Sequence, residues 1–298
     1  MTDQPAIADT GERMVPEFHR GTLLYAEHLT RYTVAAEAVR GLRVLDIASG
    51  SGYGSRLLAD SAASVIGVDA SLEAVTYARA HFSGSNVEFR HGDATAIPLE
   101  DDSVDVVVSF ETIEHIDDYE KFLAEIDRVL APDGILLLST PNDPEFVEDN
   151  HFHLHEFVRD ELLSLVRTRF EHVDEYFQST WKAVTIGTEA QLTELGALEV
   201  PLERLSTAAP EQCLYFYLVC SRVPVTTRLT PLAALGERYS DRALQEIARD
   251  ASERITRIEA ELDTARQDLV AIRATRSYRL AHRLSTVWGS VRRTPTER

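Results

Sequence analysis

Short runs rich in valine, isoleucine and leucine recur along the chain up to residue 221, separated by longer stretches in which apolar positions return every three or four residues. The runs RVLDIA (43–48), SVIGVDA (64–70), VEFRHGD (87–93), VDVVVSF (104–110), GILLLSTP (134–141), HVDEYFQ (172–178) and CLYFYLVCS (213–221) predict strands. The spacing between them predicts helices over 54–59, 72–82, 119–130 and 159–168. Strands alternating with helices imply a mainly parallel, buried sheet. No helix pattern separates the last two strands, so an antiparallel finish is expected. Ahead of the first strand, Leu23, Leu24, Leu29, Val34 and Val39 stand among polar residues between positions 17 and 39, which reads as one or two helices. Residues 179–211 carry scattered apolar positions and read as an insertion beside the site, either a lid or a plain surface connection.

A different period begins at Leu244. Leu244, Ala248, Ala251, Ile255, Ile258, Leu262, Ala265, Leu269 and Ile272 alternate spacings of four and three, a heptad seam of about four repeats among charged residues. This predicts a long helix over 244–272, either folded back on its own domain or pairing as a coiled coil in a homo-oligomer. Beyond it, seven arginines face Glu297 alone, interleaved with Tyr278, Leu280, Leu284, Val287 and Trp288. Such a segment over 273–298 suits an anionic membrane surface or an acidic protein partner, and equally a solvated tail. The whole chain of 298 residues has a formal charge of -19, which argues against general nucleic-acid binding. Two cysteines, Cys213 and Cys220, flank an apolar run and are expected as packed thiols. No secretory leader or spanning segment is read, so a cytoplasmic protein is expected, with peripheral contact at the inner membrane face through the basic tail.

Chemistry enters at VLDIASGSGYGS. Glycines at 50, 52 and 54 let the backbone take positive φ and approach a ligand, and the helix that follows aims free N–H groups at the same place. That turn alone fits a nicotinamide dinucleotide, a nucleotide or S-adenosylmethionine. Asp46, at the strand end, suits an ammonium better than a pyrophosphate and shifts the balance to the last of these. Asp69 ends the second strand, where a carboxylate accepts from both ribose hydroxyls, or else caps the next helix. Asp93 follows the third strand; it can accept from an adenine amino group while the N–H of Ala94 meets a ring nitrogen, or it can simply start a turn.

The segments VLDIASGSGYGS, VIGVDAS, HGDATAIPLEDDSVDVVVSFETIEHIDD and LAPDGILLLSTPN, in this order, resemble the successive motifs of the class I S-adenosylmethionine-dependent methyltransferases. The resemblance covers roughly residues 40 to 180. It implies an α/β, Rossmann-like seven-stranded sheet of order 3-2-1-4-5-7-6 with the last strand antiparallel. S-adenosylmethionine would bind across the C-terminal edge of the parallel strands, with Ala48, Ala70 and Phe110 added to the pocket. It also implies an N-terminal helical cap over the cofactor at 1–40, making Tyr25 and His28 candidate contacts. The organisation expected is thus a cap, a cofactor-binding domain at 41–223, a linker at 224–243, the long helix and the tail.

Methyl transfer to an alcohol needs an aligned acceptor and removal of its proton. FETIEH, just past the fourth strand, offers Glu111, Glu114 and His115 at i, i+3 and i+4, which share one face if the segment is a helical turn. His115 alone can be the general base. Alternatively all three bind a divalent cation, magnesium or else manganese or zinc, with His153 of HFHLHEF as fourth ligand. The E-x-x-E-H arrangement resembles that of ubiquinone-pathway O-methyltransferases and, with a later histidine, small-RNA 3′-terminal 2′-O-methyltransferases, both regarded as metal-using. In an extended segment His151, His153 and His155 would all face one side. TRSYRLAHRL resembles the tail segment of bacterial polysaccharide-modifying enzymes. These features together favour O-methylation of a sugar hydroxyl on a glycan or its precursor. A small aromatic or secondary-metabolite acceptor is the alternative, and a cofactor-binding scaffold without turnover is the reading from another class.

Overall fold

Seven strands, β1 (Arg43–Ile47), β2 (Ser64–Asp69), β3 (Val87–His91), β4 (Val104–Phe110), β5 (Leu130–Pro141), β6 (His172–Gln178) and β7 (Tyr215–Ser221), form one sheet of order 3-2-1-4-5-7-6. This computed structural model describes residues 7–8, 13–142, 152–181, 188, 209–225 and 229–234. The chain divides into two compact units, 1–237 and 238–298. The heptad segment at 244–272, the basic tail at 273–298, His151 and most of 179–211 lie outside the described residues.

β1 to β5 pair in parallel, and β7 runs antiparallel to both β5 and β6. The largely apolar runs of β1 and β4 follow from burial on both faces, as parallel strands require, and the antiparallel β7 is buried along its whole length as well. Among the described residues six helices flank the sheet: α1 (Pro16–His19), α2 (Leu23–Ala38), α3 (Tyr53–Leu58), α4 (Leu72–Phe82), α5 (Tyr119–Val129) and α6 (Arg159–Val166). Leu45, Ile47, Leu136 and Leu138 pack with Phe122, Leu123, Ile126 and Val129 of α5. Val44, Val106, Val108 and Leu137 pack on the other face with Tyr32, Ala35 and Val39 of α2 and Leu58 of α3. Side-chain caps start α2, α4 and α5 at Thr22, Ser71 and Asp118. The region read as one or two helices is two, divided at Gly21, whose φ of +91° a side chain rarely adopts.

Several boundaries differ from the sequence reading, and two show their local cause. β5 begins at Leu130, ahead of the expected 134, because Leu130 pairs with Val104 before a register shift. β1 stops at Ile47 because Ala48 takes φ +59° and starts the turn. Cys213 and Cys220 are buried free thiols, and burial pushes the Cys220 thiol well up. Among the described residues no helix is long and apolar enough to cross a membrane. The chain runs from β1 to β2 on one side of β1 and later lays β4 on its other side, so a crevice opens at the C-terminal ends of β1 and β4.

Candidate active site

The turn after β1 crosses that crevice. Ala48, Gly50 and Gly52 have φ of +59°, +55° and +89°, so three of five consecutive residues are left-handed. The Ser49 N–H donates to Val68 and the Gly52 N–H to Ser49, which fixes the loop on β2. The three glycines serve different ends. A Cβ on Gly50 would meet only Arg13 Cγ at 3.5 Å, so glycine stands there for its φ. On Gly52 it would lie 2.6 Å from Ala78 Cβ, and on Gly54, inside α3, 2.1 Å from the Tyr32 ring. Gly54 therefore makes room for a helix rather than for a ligand, unlike the role expected from its place in the motif.

Asp46 is wholly buried beneath this turn. Its Oδ2 accepts from Ser55 Oγ at 2.6 Å, and its Oδ1 accepts from Tyr32 Oη at 3.2 Å. Burial pushes its carboxyl up to about 7, partly offset by the hydrogen bonds from Ser55 and Tyr32. Asp69 accepts from the Gly50 N–H through Oδ2 and from the Ser71 N–H through Oδ1, both at 2.8 Å. It clamps the turn, while Ser71 does the helix capping. Asp93 is exposed and accepts from the Thr95 N–H and hydroxyl through Oδ1, the turn geometry foreseen as one of its two readings. These bonds hold its carboxyl below the usual range. Ala94 beside it is buried, and Ala70 follows Asp69 on the rim.

The N-terminal helices come to the same place. Ser51 Oγ donates to the Met14 carbonyl, and Arg13 lies along Gly50. Of the two cap residues picked from the sequence, Tyr25 sits in the first turn of α2 with its N–H on Thr22. His28 contacts Tyr53 Oη through Nδ1 at 3.0 Å; burial, then Arg31 and His19, push its pKa well down. A second α2 residue reaching the motif is Tyr32, which the sequence reading missed. Its ring stands edge-on to Tyr53 and Phe110, and its hydroxyl meets Asp46. Arg31 was missed as well. It is 2% exposed, donates from Nε to Gln178, lies 4.4 Å over the Tyr215 ring and pairs with Glu111 at 3.4 Å.

FETIEH does not form the helical turn that would align its acidic and imidazole groups. Glu111 takes φ +51°, and a 3₁₀ turn follows over Ile113–His115. Left-handed backbone turns the Glu111 carboxylate to Ser139 Oγ, from which it accepts at 2.6 Å, and to Arg31. Glu114 goes inward: it is 1% exposed, and its Oε2 accepts from Thr140 Oγ1 at 2.9 Å. Its Oε1 is buried without a hydrogen-bond partner among the described residues. Burial and the charge of Glu111 hold the Glu114 carboxyl well above the usual range. The Glu114 carbonyl accepts from the N–H groups of Leu154 and His155, which straps residues 152–155 across the turn.

That strap brings His153 to His115, ring centroids 4.9 Å apart. Ligand atoms of Glu114, His115 and His153 lie within 4.8 Å of one another. Glu111, expected with them among the four ligands, is not in this group. Nor do alternate histidines share a side: His155 meets Glu161 at 2.8 Å and packs on Phe157 and Tyr119. His115 Nδ1 lies 2.9 Å from the Phe152 carbonyl, which can only accept, so Nδ1 carries a proton. His153 Nδ1 likewise faces Glu156 at 3.3 Å. Two imidazoles and a buried carboxyl thus meet at the tips of β4 and β5.

A protein-family profile described as a methyltransferase domain matches residues 45–138. A probable S-adenosylmethionine-dependent methyltransferase of Mycolicibacterium smegmatis is 38% identical over 175 residues, covering 57% of this chain and 67% of that protein. A ubiquinone biosynthesis O-methyltransferase of Chelativorans is 34% identical over 119 residues, 39% of this chain and 47% of that protein. The chain therefore spans two thirds of the one relative and about half of the other. Among solved structures, a Thermotoga maritima protein described as an S-adenosylmethionine-dependent methyltransferase, possibly for histamine N-methylation, aligns with TM-score 0.52 at 23% identity, over 71% of this chain and 97% of that one.

Proposed function

Since this chain belongs to the S-adenosylmethionine-dependent methyltransferases, we propose that it moves the donor's methyl group to a hydroxyl oxygen, that of a vicinal diol on a sugar in a glycan or its precursor. The observation that carries the choice of oxygen is the meeting of Glu114, His115 and His153 at the strand tips. The donor lies across the crevice. Asp69 accepts from its ribose hydroxyls, Asp93 and the Ala94 N–H meet its adenine, and the buried charge of Asp46 favours its ammonium end.

The acceptor hydroxyl faces His115 Nε2. As the new carbon–oxygen bond forms, the methyl–sulfur bond breaks, its electron pair returns to sulfur, and the hydroxyl proton passes to His115. Phe152 holds that imidazole in the tautomer able to receive it. Glu114 stays protonated in its buried pocket and orients the neighbouring hydroxyl.

The same three side chains fit a divalent cation, which Glu114 Oε1, buried without a partner among the described residues, would help to hold. A bound cation would lower the acceptor's pKa. With Glu111 turned away, two imidazoles and one carboxylate suit manganese or zinc better than magnesium.

A second reading, transfer to a small aromatic diol, is favoured by the relative whose description is ubiquinone biosynthesis O-methylation. Release of adenosylhomocysteine across a panel of sugar and aromatic diols tests both. Cofactor binding with no release on any of them would leave a binding scaffold, and unchanged turnover after chelation and dialysis would remove the cation.

A further inference from the structure

We propose that Arg31 is a positioning residue for the transfer, acting through Glu111: the ion pair between them holds the left-handed backbone from which Glu114 and His115 are presented. Its kinetic side rests on the transfer to a hydroxyl proposed above. Glutamate at φ +51° is an unfavourable choice, because its Cβ crowds the backbone there, so the conformation stands only where contacts over-determine it. Among the described residues three do so. The Glu111 N–H donates to the Ser139 carbonyl at 3.1 Å, the Ser139 hydroxyl donates to Glu111 Oε1 at 2.6 Å, and Arg31 Nη1 lies 3.4 Å from the same oxygen. The 3₁₀ turn Ile113–His115 begins two residues later, closed by the His115 N–H on the Thr112 carbonyl.

Arg31 is built to hold that carboxylate in one place. Its Nε donates to Gln178 Oε1 at 3.1 Å, its guanidinium lies 4.4 Å over the Tyr215 ring, and Gln178 Nε2 donates on to the Glu27 carbonyl at 3.1 Å. Contacts from β6 and β7 thus fix the guanidinium, and β6 is tied back to α2. No hydrogen bond reaches the two terminal nitrogens of Arg31 among the described residues, so the Glu111 charge is the chief compensation for burying it. Glu111 lies outside the group of Glu114, His115 and His153, and the stretch 111–115 is the path by which it acts on them.

The test is amide hydrogen exchange in the full chain. The N–H groups of Leu154 and His155 bond the Glu114 carbonyl and report the turn, while those of β1, paired with β2 and β4, report the sheet. Arg31→Met should speed exchange at Leu154 and His155 by ~10-fold or more beyond any change in β1. Adding Glu111→Gly to Arg31→Met should bring that exchange back to within about threefold of the unaltered chain, because glycine takes positive φ unaided. An equal rise at all these amides, or no recovery in the double variant, overturns the proposal. Should Arg31→Met fail to fold, Glu111→Ala is compared with Glu111→Gly. Both lose the carboxylate but alanine alone keeps the strain, so alanine should exchange roughly fivefold faster or more, and equal rates would overturn the proposal. In turnover, Arg31→Met should lower kcat by ~10-fold or more while adenosylhomocysteine affinity stays within about twofold. A ~10-fold loss of that affinity would make Arg31 a donor ligand and overturn the positioning role. If the unaltered chain releases no adenosylhomocysteine on any diol, the transfer falls, and the exchange rates still decide whether Arg31 holds the turn.

Discussion

In the proposed transfer, His115 and Asp46 each act through what they touch. His115 is poised by one main-chain acceptor, the Phe152 carbonyl. Replacing it with alanine should cut turnover by roughly 10²–10⁴-fold, the usual worth of a general base, while calorimetric affinity for adenosylhomocysteine stays within about twofold. Unchanged turnover would take His115 out of the reaction. Asp46 titrates near neutrality because it is buried, at about 7. An ammonium favours the ionised carboxylate, so affinity for adenosylhomocysteine should climb as pH rises through that value, and Asp46→Asn should flatten the profile. The same group draws protons more strongly in the folded than in the unfolded chain. Its contribution to stability therefore declines as pH rises from the ordinary aspartate range to about 7, as denaturant midpoints across that range would show. Asp46, Asp69 and Asp93 were legible because each closes an apolar run. Tyr32 and Arg31 were not, since in α2 a buried tyrosine and a buried arginine look like any amphipathic helix until their partners, seventy or more residues away for Arg31, are in place.

At the level of elements, alternation of strand and helix patterns was enough to give a mainly parallel sheet, because buried parallel strands cannot hide their composition, whereas the strand order followed from the motif resemblance. Local backbone states were less visible. Nothing in FETIEH announces that Glu111 will be left-handed, so the expected helical face never forms, and Glu111 leaves the cluster it was assigned to. The junction of α2 with α3 shows packing deciding a motif residue. Tyr32 lies where a Gly54 side chain would be. Gly54→Ala should cost about 1–3 kcal/mol in urea unfolding through overpacking. In a double-mutant cycle with Tyr32→Leu, the two changes should couple by at least ~0.5 kcal/mol. Strict additivity would place the pressure on some other neighbour.

For the whole molecule, the heptad seam from Leu244 onward predicts self-association through a segment separate from the methyltransferase unit. A chain ending before Leu244 should therefore be a monomer by light scattering and still bind adenosylhomocysteine; a persisting dimer would locate the interface in the catalytic unit. The sheet and the glycine turn after β1 were readable because they repeat a pattern that many residues share. The acceptor side was not, because it depends on one strap.

The strap joins two stretches of chain that the sequence keeps apart. His115 stands at the tip of β4, whereas His153 arrives on chain that has already left β5, and main-chain bonds to a single carbonyl bring the second stretch to the first. A nascent or partly loosened sheet could thus grip its methyl donor while still lacking the proton acceptor's anchor. Under mild urea, methyl transfer should fade before the circular dichroism of the sheet does; simultaneous loss would mean that strap and sheet melt as one unit.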